Sequence, residues 1–174
     1  TKLYLIRHGE TDGNRTGVLM GSTDTPLNAH GRPQAAALSE RVNALEVDAI
    51  FSSPLSRAVE TATLVFGDTQ PIITDSSLQE FHFGDWEGMH FADIAREYPE
   101  VWQMWLTDWE QTRIPGGEAF PAFRERVVSF VEEVVASHPG RRVALVSHRG
   151  CIRSVLAHSF CGSAANGYWH FKVD

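Results

Sequence analysis

Residues 3–11 of the chain read LYLIRHGET, an apolar run that leads directly into an arginine, a histidine and a glycine. The run shows no alternation of apolar and polar residues, which predicts a central strand of a parallel sheet covered on both faces. In open α/β sheets ligands bind at the carboxyl ends of such strands, and His8 lies at that end. Residues 143–150, VALVSHRG, repeat the arrangement with His148. We therefore expect His8 and His148 to face one pocket.

The rest of the chain alternates predicted strands and helices. Repeated βα units predict an α/β fold with three layers, α/β/α, around a mainly parallel sheet. A loop through Pro26 follows the first strand, and residues 77–117, rich in tryptophan, predict a helical and loop cap. With 174 residues and no linker, residues 1–174 are most simply one domain. Further strands are predicted at 48–52, 71–73 and 143–147, and helices at 31–45, 58–66, 120–137 and through Cys161.

The charge and the apolar segments exclude several classes of partner. A net charge of −7 argues against a nucleic-acid or anionic-membrane surface, because both need a basic face. A small anionic substrate remains possible, since a pocket can be locally basic. No segment approaches the roughly 20 apolar residues of a membrane span, and no charged leader with an apolar stretch precedes the first strand. We expect a cytoplasmic protein without a membrane partner, and the oligomeric state stays open.

Neither a disulfide nor a metal is expected. Cys151 and Cys161 fall in one predicted helix about 15 Å apart along its axis, so they cannot pair with each other. No set of His, Cys, Asp and Glu has the spacing of a zinc site, and no phosphate-binding loop of the glycine-rich type precedes a Lys and a Ser or Thr. We therefore expect no cofactor.

The residue types point to phosphoryl transfer. A phosphoryl group in transfer carries charge on its equatorial oxygens, and Arg7 and Arg57 are candidates to bind them. A neutral imidazole can attack phosphorus, and His8, between an arginine and a glycine, is the better nucleophile candidate. His148 would then donate a hydrogen bond to the same phosphate. Glu80 lies among aromatic residues that would raise its pKa, which suits a general acid, although by itself it is more typical of a solvated loop.

Five motifs, in order and spacing, resemble the histidine phosphatase superfamily, also called phosphoglycerate mutase-like. The resemblance covers nearly the whole chain and implies that fold. It also implies that His8 is phosphorylated, that Arg7, Arg57 and His148 form the phosphate pocket, and that Glu80 donates the proton. Asn14 would support the phosphate and Ser22 is a further candidate. The motifs are LIRHGET at 5–11 with Asn14, SSPLSRA at 52–58 with Thr61 and Ala62, Glu80 with FGDWEG at 83–88, PGGE at 115–118, and VSH at 146–148.

Two positions depart from the family's pattern. Arg149 stands where glycine is common and would narrow or further charge the pocket floor. Gly13 stands where an aromatic residue is common and would open the rim. Neither departure removes a group with a catalytic role.

Within the superfamily the chain is most similar to α-ribazole phosphatases of cobalamin biosynthesis. The similarity lies in residues 81–87, 102–109, 117–123 and 169–174. It implies a phosphomonoesterase for α-ribazole 5′-phosphate, with Phe81, His82, Trp86 and Arg149 as candidate substrate contacts. Chains of this family usually continue into another strand, so we expect that this sequence is shortened at its C-terminus.

Two alternatives remain open. One is a broad sugar-phosphate phosphatase or a phosphoglycerate mutase, although the mutases usually carry longer insertions. The other is an inactive protein that binds a phospholigand, which would need neither His8 nor Glu80.

Overall fold

Four parallel strands form the sheet in the part of the chain that the computed structural model describes, residues 1–43, 46–67, 70–162 and 167–173. The strands are β1 (Lys2–Arg7), β2 (Ala49–Ser52), β3 (Ile72–Thr74) and β4 (Arg142–Ser147), in the order β1-β4-β2-β3. Every pairing between neighbouring strands is parallel. The predicted mainly parallel α/β sheet is therefore confirmed, with β2 and β3 within one residue of their predicted bounds.

The position of β1 differs from the prediction. We expected residues 3–6 to form a central strand, but β1 lies at an edge of the described sheet and β4 occupies the interior. The physical reason is that an apolar run indicates that both faces of a strand are covered. It does not indicate how many strands pair with that strand. Leu3 and Leu5 pack against one core, and Tyr4 and Ile6 belong to the other. Both faces of β1 are thus covered, although β4 is the only strand of the described residues that pairs with it.

Seven α-helices of the described residues connect and cover these strands. The prediction for α6 is confirmed at both ends, and α3 begins two residues earlier than predicted, which places Arg57 in its first turn. The expected end of α2 at Leu45 lies outside the described residues. The helices are α1 (Asp12–Thr16), α2 (Gly31–Asn43), α3 (Ser56–Phe66), α4 (Phe91–Glu97), α5 (Pro99–Asp108), α6 (Phe120–Ser137) and α7 (Arg149–Cys161), with 3-10 turns at Ser76–Leu78, Gly84–Trp86 and Tyr168–His170.

The helix α1 was missed because its signal is short. The sequence predicted a loop here, but Thr11 and Asn14 form a capping box. The Thr11 hydroxyl accepts the Asn14 N–H, and Asn14 Oδ1 accepts the Thr11 N–H. These two bonds satisfy donors that a helix start otherwise leaves unpaired. The five-residue helix places Asn14 near the end of β1.

Two apolar cores lie on opposite faces of the sheet. Side chains alternate between the faces of a strand, so Val143 and Leu145 of β4 enter one core while Ala144 and Val146 enter the other. The first core contains residues of α6 and α7 and the aromatic residues of the cap segment, which we define as residues 77–117. The second contains residues of α2 and α3. This arrangement gives the three layers expected from the sequence.

Two further expectations concern α7 and the membrane. Cys151 is buried and Cys161 is exposed, and both are free thiols; we expected both to be buried or half-buried, which is wrong for Cys161 near the end of the helix. Among the helices of the described residues, none combines the length and the apolar character that a membrane span requires.

Candidate active site

The parallel pairing of β1 with β4 brings two histidines together. Arg7 is in register with Ser147, so the next residue of each strand is a histidine. The His8 N–H continues the ladder by donating to the Ser147 carbonyl over 3.0 Å. The His8 and His148 rings lie 5.1 Å apart between centroids, tilted by 58°. The expected pair at one end of the sheet is therefore present in the structure.

His8 is a neutral imidazole with its proton on a defined nitrogen. Its Nδ1 lies 2.7 Å from the Gly9 carbonyl oxygen, which can only accept, so Nδ1 carries the hydrogen. The side chain is 8% exposed. Burial, followed by the positive charge of Arg57 and the weaker effects of Arg7 and Arg149, lowers the pKa of His8 to about 3. The Nε2 lone pair is therefore available near neutral pH.

Arg57 is a buried cation held by a loop. It begins α3 from a buried position, with Nη1 donating to the Thr23 carbonyl over 2.8 Å and Nη2 donating to the Gly21 carbonyl. Burial lowers its pKa, while Glu80 and other acidic groups oppose that change. Guanidinium groups keep their charge through such shifts. Arg57 and Arg7, at the end of β1, both line the cavity next to His8.

His148 is fully buried, and one of its ring nitrogens contacts a serine hydroxyl. The Ser53 hydroxyl accepts the Leu55 N–H over 3.3 Å and lies 2.8 Å from His148 Nε2. A hydroxyl with one bond already accepted can still donate to Nε2 or accept from it, and with the hydroxyl as donor neutral His148 carries its own proton on Nδ1. Burial lowers the pKa of His148 well below its ordinary value. Nδ1 has no hydrogen-bond partner among the described residues, so the site contains a buried donor without an acceptor.

Glu80 is a half-buried residue whose carboxyl group lies close to these cations. Its Oε2 accepts the Gly150 N–H over 2.9 Å, and Oε1 accepts the Phe81 N–H over 3.0 Å. Burial raises its pKa, and these two bonds with the charges of Arg57 and Arg7 only partly oppose the rise. A carboxyl group in this environment is suited to hold and release a proton.

A cavity of about 290 Å³ opens beside His8, Arg7, Arg57 and Glu80. These four residues belong to the polar part of its wall, and most of the remaining wall is aromatic or apolar. A second cavity of about 430 Å³ is also lined by His8 and reaches Gln34 and Leu38 of α2. The aromatic and apolar residues of the first cavity are Val18, Leu19, Met20, Phe81, Phe83, Phe91, Trp105, Trp109, Phe120, Tyr168 and Trp169.

The candidate substrate contacts divide into two groups. Phe81, Arg149 and Asn14 lie on the wall of the first cavity, whereas Ser22, His82 and Trp86 are absent from the walls of both cavities. Trp86 is instead buried in the aromatic packing of the cap segment, and His82 is exposed. Their distance from the cavities follows from packing that the motif alone does not specify.

Gly13 also lies on the wall, but its lack of a side chain does not simply open the rim. The space that a Cβ of Gly13 would need is taken by the Met20 side chain. The departure from the family's pattern at Gly13 is thus matched by a methionine from the following loop.

Sequence reasoning missed the residues that form most of the aromatic wall. Trp105 of α5 and Trp109, the residue that caps its C-terminus, are four positions apart and so share a face, a signal that the tryptophan-rich segment did contain. Phe120 from the start of α6 and Tyr168 and Trp169 from the chain's last turn join them. In the described part of the chain, no three His, Cys, Asp or Glu side chains cluster in a way that could hold a metal ion.

The chain is similar in sequence to known proteins. The sequence model of the histidine phosphatase superfamily (branch 1) matches residues 3–174. The chain is 38% identical to the adenosylcobalamin/α-ribazole phosphatase of Escherichia coli strain K12, over 99% of this chain and 85% of that protein.

Solved structures give the same result. The α-ribazole phosphatase of Shigella flexneri superposes with a TM-score of 0.92 at 37% identity, over 100% of this chain and 86% of that chain. A mycobacterial glucosyl-3-phosphoglycerate phosphatase superposes with a TM-score of 0.84 at 34% identity, over 97% and 85% of the two chains.

Proposed function

Because this chain belongs to the histidine phosphatase superfamily, we propose that it is a phosphomonoesterase that hydrolyses α-ribazole 5′-phosphate through a phosphohistidine on His8. The observation that carries the proposal is the state of His8, a buried neutral imidazole whose proton lies on Nδ1 and whose neighbours are Arg7 and Arg57. A neutral imidazole with one nitrogen hydrogen-bonded can attack phosphorus through the other.

The first step transfers the phosphoryl group to the protein. The Nε2 lone pair of His8 attacks phosphorus, and the bond between phosphorus and the ester oxygen breaks. Arg7 and Arg57 offset the charge on the equatorial oxygens, and His148 Nδ1–H donates a hydrogen bond to one of them. Glu80 transfers its proton to the departing oxygen, so that a neutral alcohol leaves. The raised pKa of Glu80 supports this role.

The second step releases phosphate. A water molecule attacks the phosphorus of the phosphohistidine from the side that the alcohol has left. Glu80, now a carboxylate, accepts a proton from that water. The phosphorus–nitrogen bond breaks and its electron pair returns to Nε2. Inorganic phosphate leaves, and both His8 and Glu80 regain their starting states.

The aromatic end of the cavity supports a ribazole as the leaving group. α-Ribazole carries a flat, apolar dimethylbenzimidazole beyond its ribose, and rings such as Trp109 offer surfaces on which such a base can be buried. The cavity volume of about 290 Å³ lies near the lower end of the range for small-molecule sites, about 300–1,000 Å³. Phosphoglycerate, by contrast, presents only charge and hydroxyl groups.

A labelling experiment tests the chemical part of the proposal. Rapid quench with a ³²P-labelled substrate should trap a phosphoenzyme that is labile in acid and stable in base. The label should disappear in His8→Ala and persist in His158→Ala, a control at an exposed histidine of α7. Equal labelling of His8→Ala would show that His8 is not the nucleophile. No label and no hydrolysis in the wild-type protein would instead favour an inactive protein that binds a phospholigand.

A substrate comparison tests the specific part. We expect kcat/KM for α-ribazole 5′-phosphate to exceed that for 3-phosphoglycerate by at least about 10²-fold, or about 2.7 kcal/mol of differential transition-state binding. Comparable values would favour a broad sugar-phosphate phosphatase. A preference for moving the phosphoryl group between two positions of phosphoglycerate would favour a mutase.

A further inference from the structure

Glu87 lies outside the walls of both cavities, yet its carboxylate is one of the most heavily hydrogen-bonded groups in the cap segment. It accepts five hydrogen bonds, from the backbone N–H groups of Gly21, Ser22, Thr23 and Phe83 and from the Thr23 hydroxyl, at distances from 2.6 to 3.1 Å. Four of the five come from one loop, residues 21–23. A carboxylate used in this way fixes the conformation of that loop.

The same loop holds Arg57. The carbonyl oxygens of Gly21 and Thr23 accept the two Nη groups of the guanidinium. The loop therefore presents its N–H groups to Glu87 and two of its carbonyls to Arg57. If the loop loses its hydrogen bonds to Glu87 and changes conformation, the carbonyl groups that orient Arg57 must move as well.

Gly21 leaves the loop little freedom to rearrange. A Cβ at this position would collide with the Phe81 carbonyl oxygen, Glu87 Oε1 and the Phe83 ring. The loop is thus pressed against the segment that follows Glu80. Through its bonds to Phe83 and to the loop, the Glu87 carboxylate joins this segment to the base of Arg57.

From this geometry we propose that Glu87 is a positioning residue, which holds the 21–23 loop so that Arg57 presents its guanidinium to the substrate's phosphate. The inference rests on the proposed function, because it takes Arg57 as a phosphate ligand. Electrostatic preorganisation depends on such fixed donors, and a misplaced donor loses much of its effect on the transition state.

The test is a double-mutant cycle between Glu87 and Arg57. Glu87→Gln places an amide NH₂ opposite N–H donors and should lower kcat/KM for p-nitrophenyl phosphate by about 10- to 100-fold. It should also weaken orthovanadate binding by a similar factor, measured as ligand-dependent protection from thermal unfolding. In an Arg57→Lys background the same change should cost less than about threefold, because the group that Glu87 orients is already gone.

Two further variants separate positioning from charge and from folding. Asp85→Asn removes a negative charge from an exposed side chain two residues away and should leave kcat/KM unchanged. Thr23→Val removes only the 2.6 Å hydroxyl bond to Glu87 and should give a smaller loss that also vanishes with Arg57→Lys. This exposed position keeps the test available if Glu87→Gln fails to fold.

The outcomes are distinguishable. Equal losses in the wild-type and Arg57→Lys backgrounds, or an unchanged vanadate affinity, would overturn the role of Glu87 while leaving the proposed function intact. A wild-type protein that neither hydrolyses p-nitrophenyl phosphate nor binds vanadate would overturn the proposed function itself, and the positioning role with it.

Discussion

The backbone of Gly150 and the carboxyl group of Glu80 are in such close contact that a side chain at position 150 would displace the carboxyl group. The Gly150 N–H donates to Glu80 Oε2 over 2.9 Å, and a Cβ on Gly150 would collide with Glu80 Oε1. The obstacle is the Glu80 side chain, so a side chain at position 150 fits only if the carboxyl group moves.

Replacing Gly150 with alanine should therefore displace the proposed acid. We expect Gly150→Ala to lower kcat for an alkyl phosphate by about 10²-fold, the effect of a displacement of roughly 1 Å at a reacting group. Ser159→Ala, on the same helix but away from both cavities, is the matched control. Steady-state kinetics measure both variants. An unchanged kcat in Gly150→Ala would show that the Glu80 carboxyl group can move without loss of function or that Glu80 has no catalytic role.

Glu80 should matter most when the leaving group is poor. Glu80→Gln removes the proton that neutralises the departing oxygen, so an alkyl phosphate should slow by about 10²- to 10⁴-fold. An activated aryl phosphate, whose anion leaves easily, should slow much less. The comparison of kcat for the two substrates measures this difference, and equal losses would assign Glu80 to binding or folding.

The aromatic wall should contribute to binding of the base. Trp109 lies on the cavity and contacts Phe120 at 4.3 Å and Tyr168 at 5.0 Å between ring centroids. Trp109→Ala should lower kcat/KM for α-ribazole 5′-phosphate by about 10- to 100-fold, the range for one lost aromatic contact surface, with little effect on a small alkyl phosphate.

Trp102→Ala is the control for this change. Trp102 is a partly buried tryptophan of the same cap segment but is absent from the walls of both cavities. If both variants lose activity on both substrates, the cap acts through stability and not through recognition of the base.

His8 should make the fold sensitive to acid. Folding lowers the pKa of His8 from 6.5 to about 3. Between these two pH values the unfolded chain binds a proton at His8, and the folded chain does not. Stability contributed by this group is complete above pH 6.5 and is lost as pH falls toward 3.

At pH 5 the loss from His8 approaches about 2 kcal/mol. Urea unfolding at pH 7 and pH 5 should therefore show that His8→Gln gains stability relative to the wild type at the lower pH. A difference between the two proteins that does not change with pH would mean that folding does not lower the pKa of His8.

Activity should survive chelation. Arg7 and Arg57 supply the positive charge that a metal ion supplies in other phosphatases, so excess EDTA should leave kcat within about twofold of its starting value. Loss of activity in EDTA with recovery on addition of one divalent ion would contradict this expectation.

The sequence was most informative where chemistry follows from local pattern. Ligands bind at the carboxyl ends of parallel strands. Two apolar runs, each followed by a histidine, were therefore enough to predict that His8 and His148 lie close together. The order of the strands was not predictable in the same way. The run before His8 is apolar because both faces are covered, and that pattern is identical for a strand with one neighbour or two.

The aromatic wall shows a different limit. Trp86 and Trp109 both lie in the tryptophan-rich segment, and nothing in their neighbouring residues separates the one that is buried from the one that lines the cavity. The difference arises from packing against Phe120 and Tyr168, which are far away in sequence. Ser22 and His82 were likewise named by motif position, whereas their distance from the cavities depends on how the 21–23 loop and the cap segment fold against each other.

The paired ladder between β1 and β4 carries one more consequence. The spacing of His8 and His148 is set by backbone hydrogen bonds over six residue pairs, and a slip of one residue would turn every side chain of the strand to the opposite face. The aromatic wall, by contrast, draws many of its residues from loops and the ends of helices, and loops tolerate sequence change better than the elements they connect. Substitutions in residues 77–117 and in the turn at Tyr168–His170 can thus change which substrate is accepted. The strands β1 and β4 meanwhile keep the distance between His8 and His148 constant.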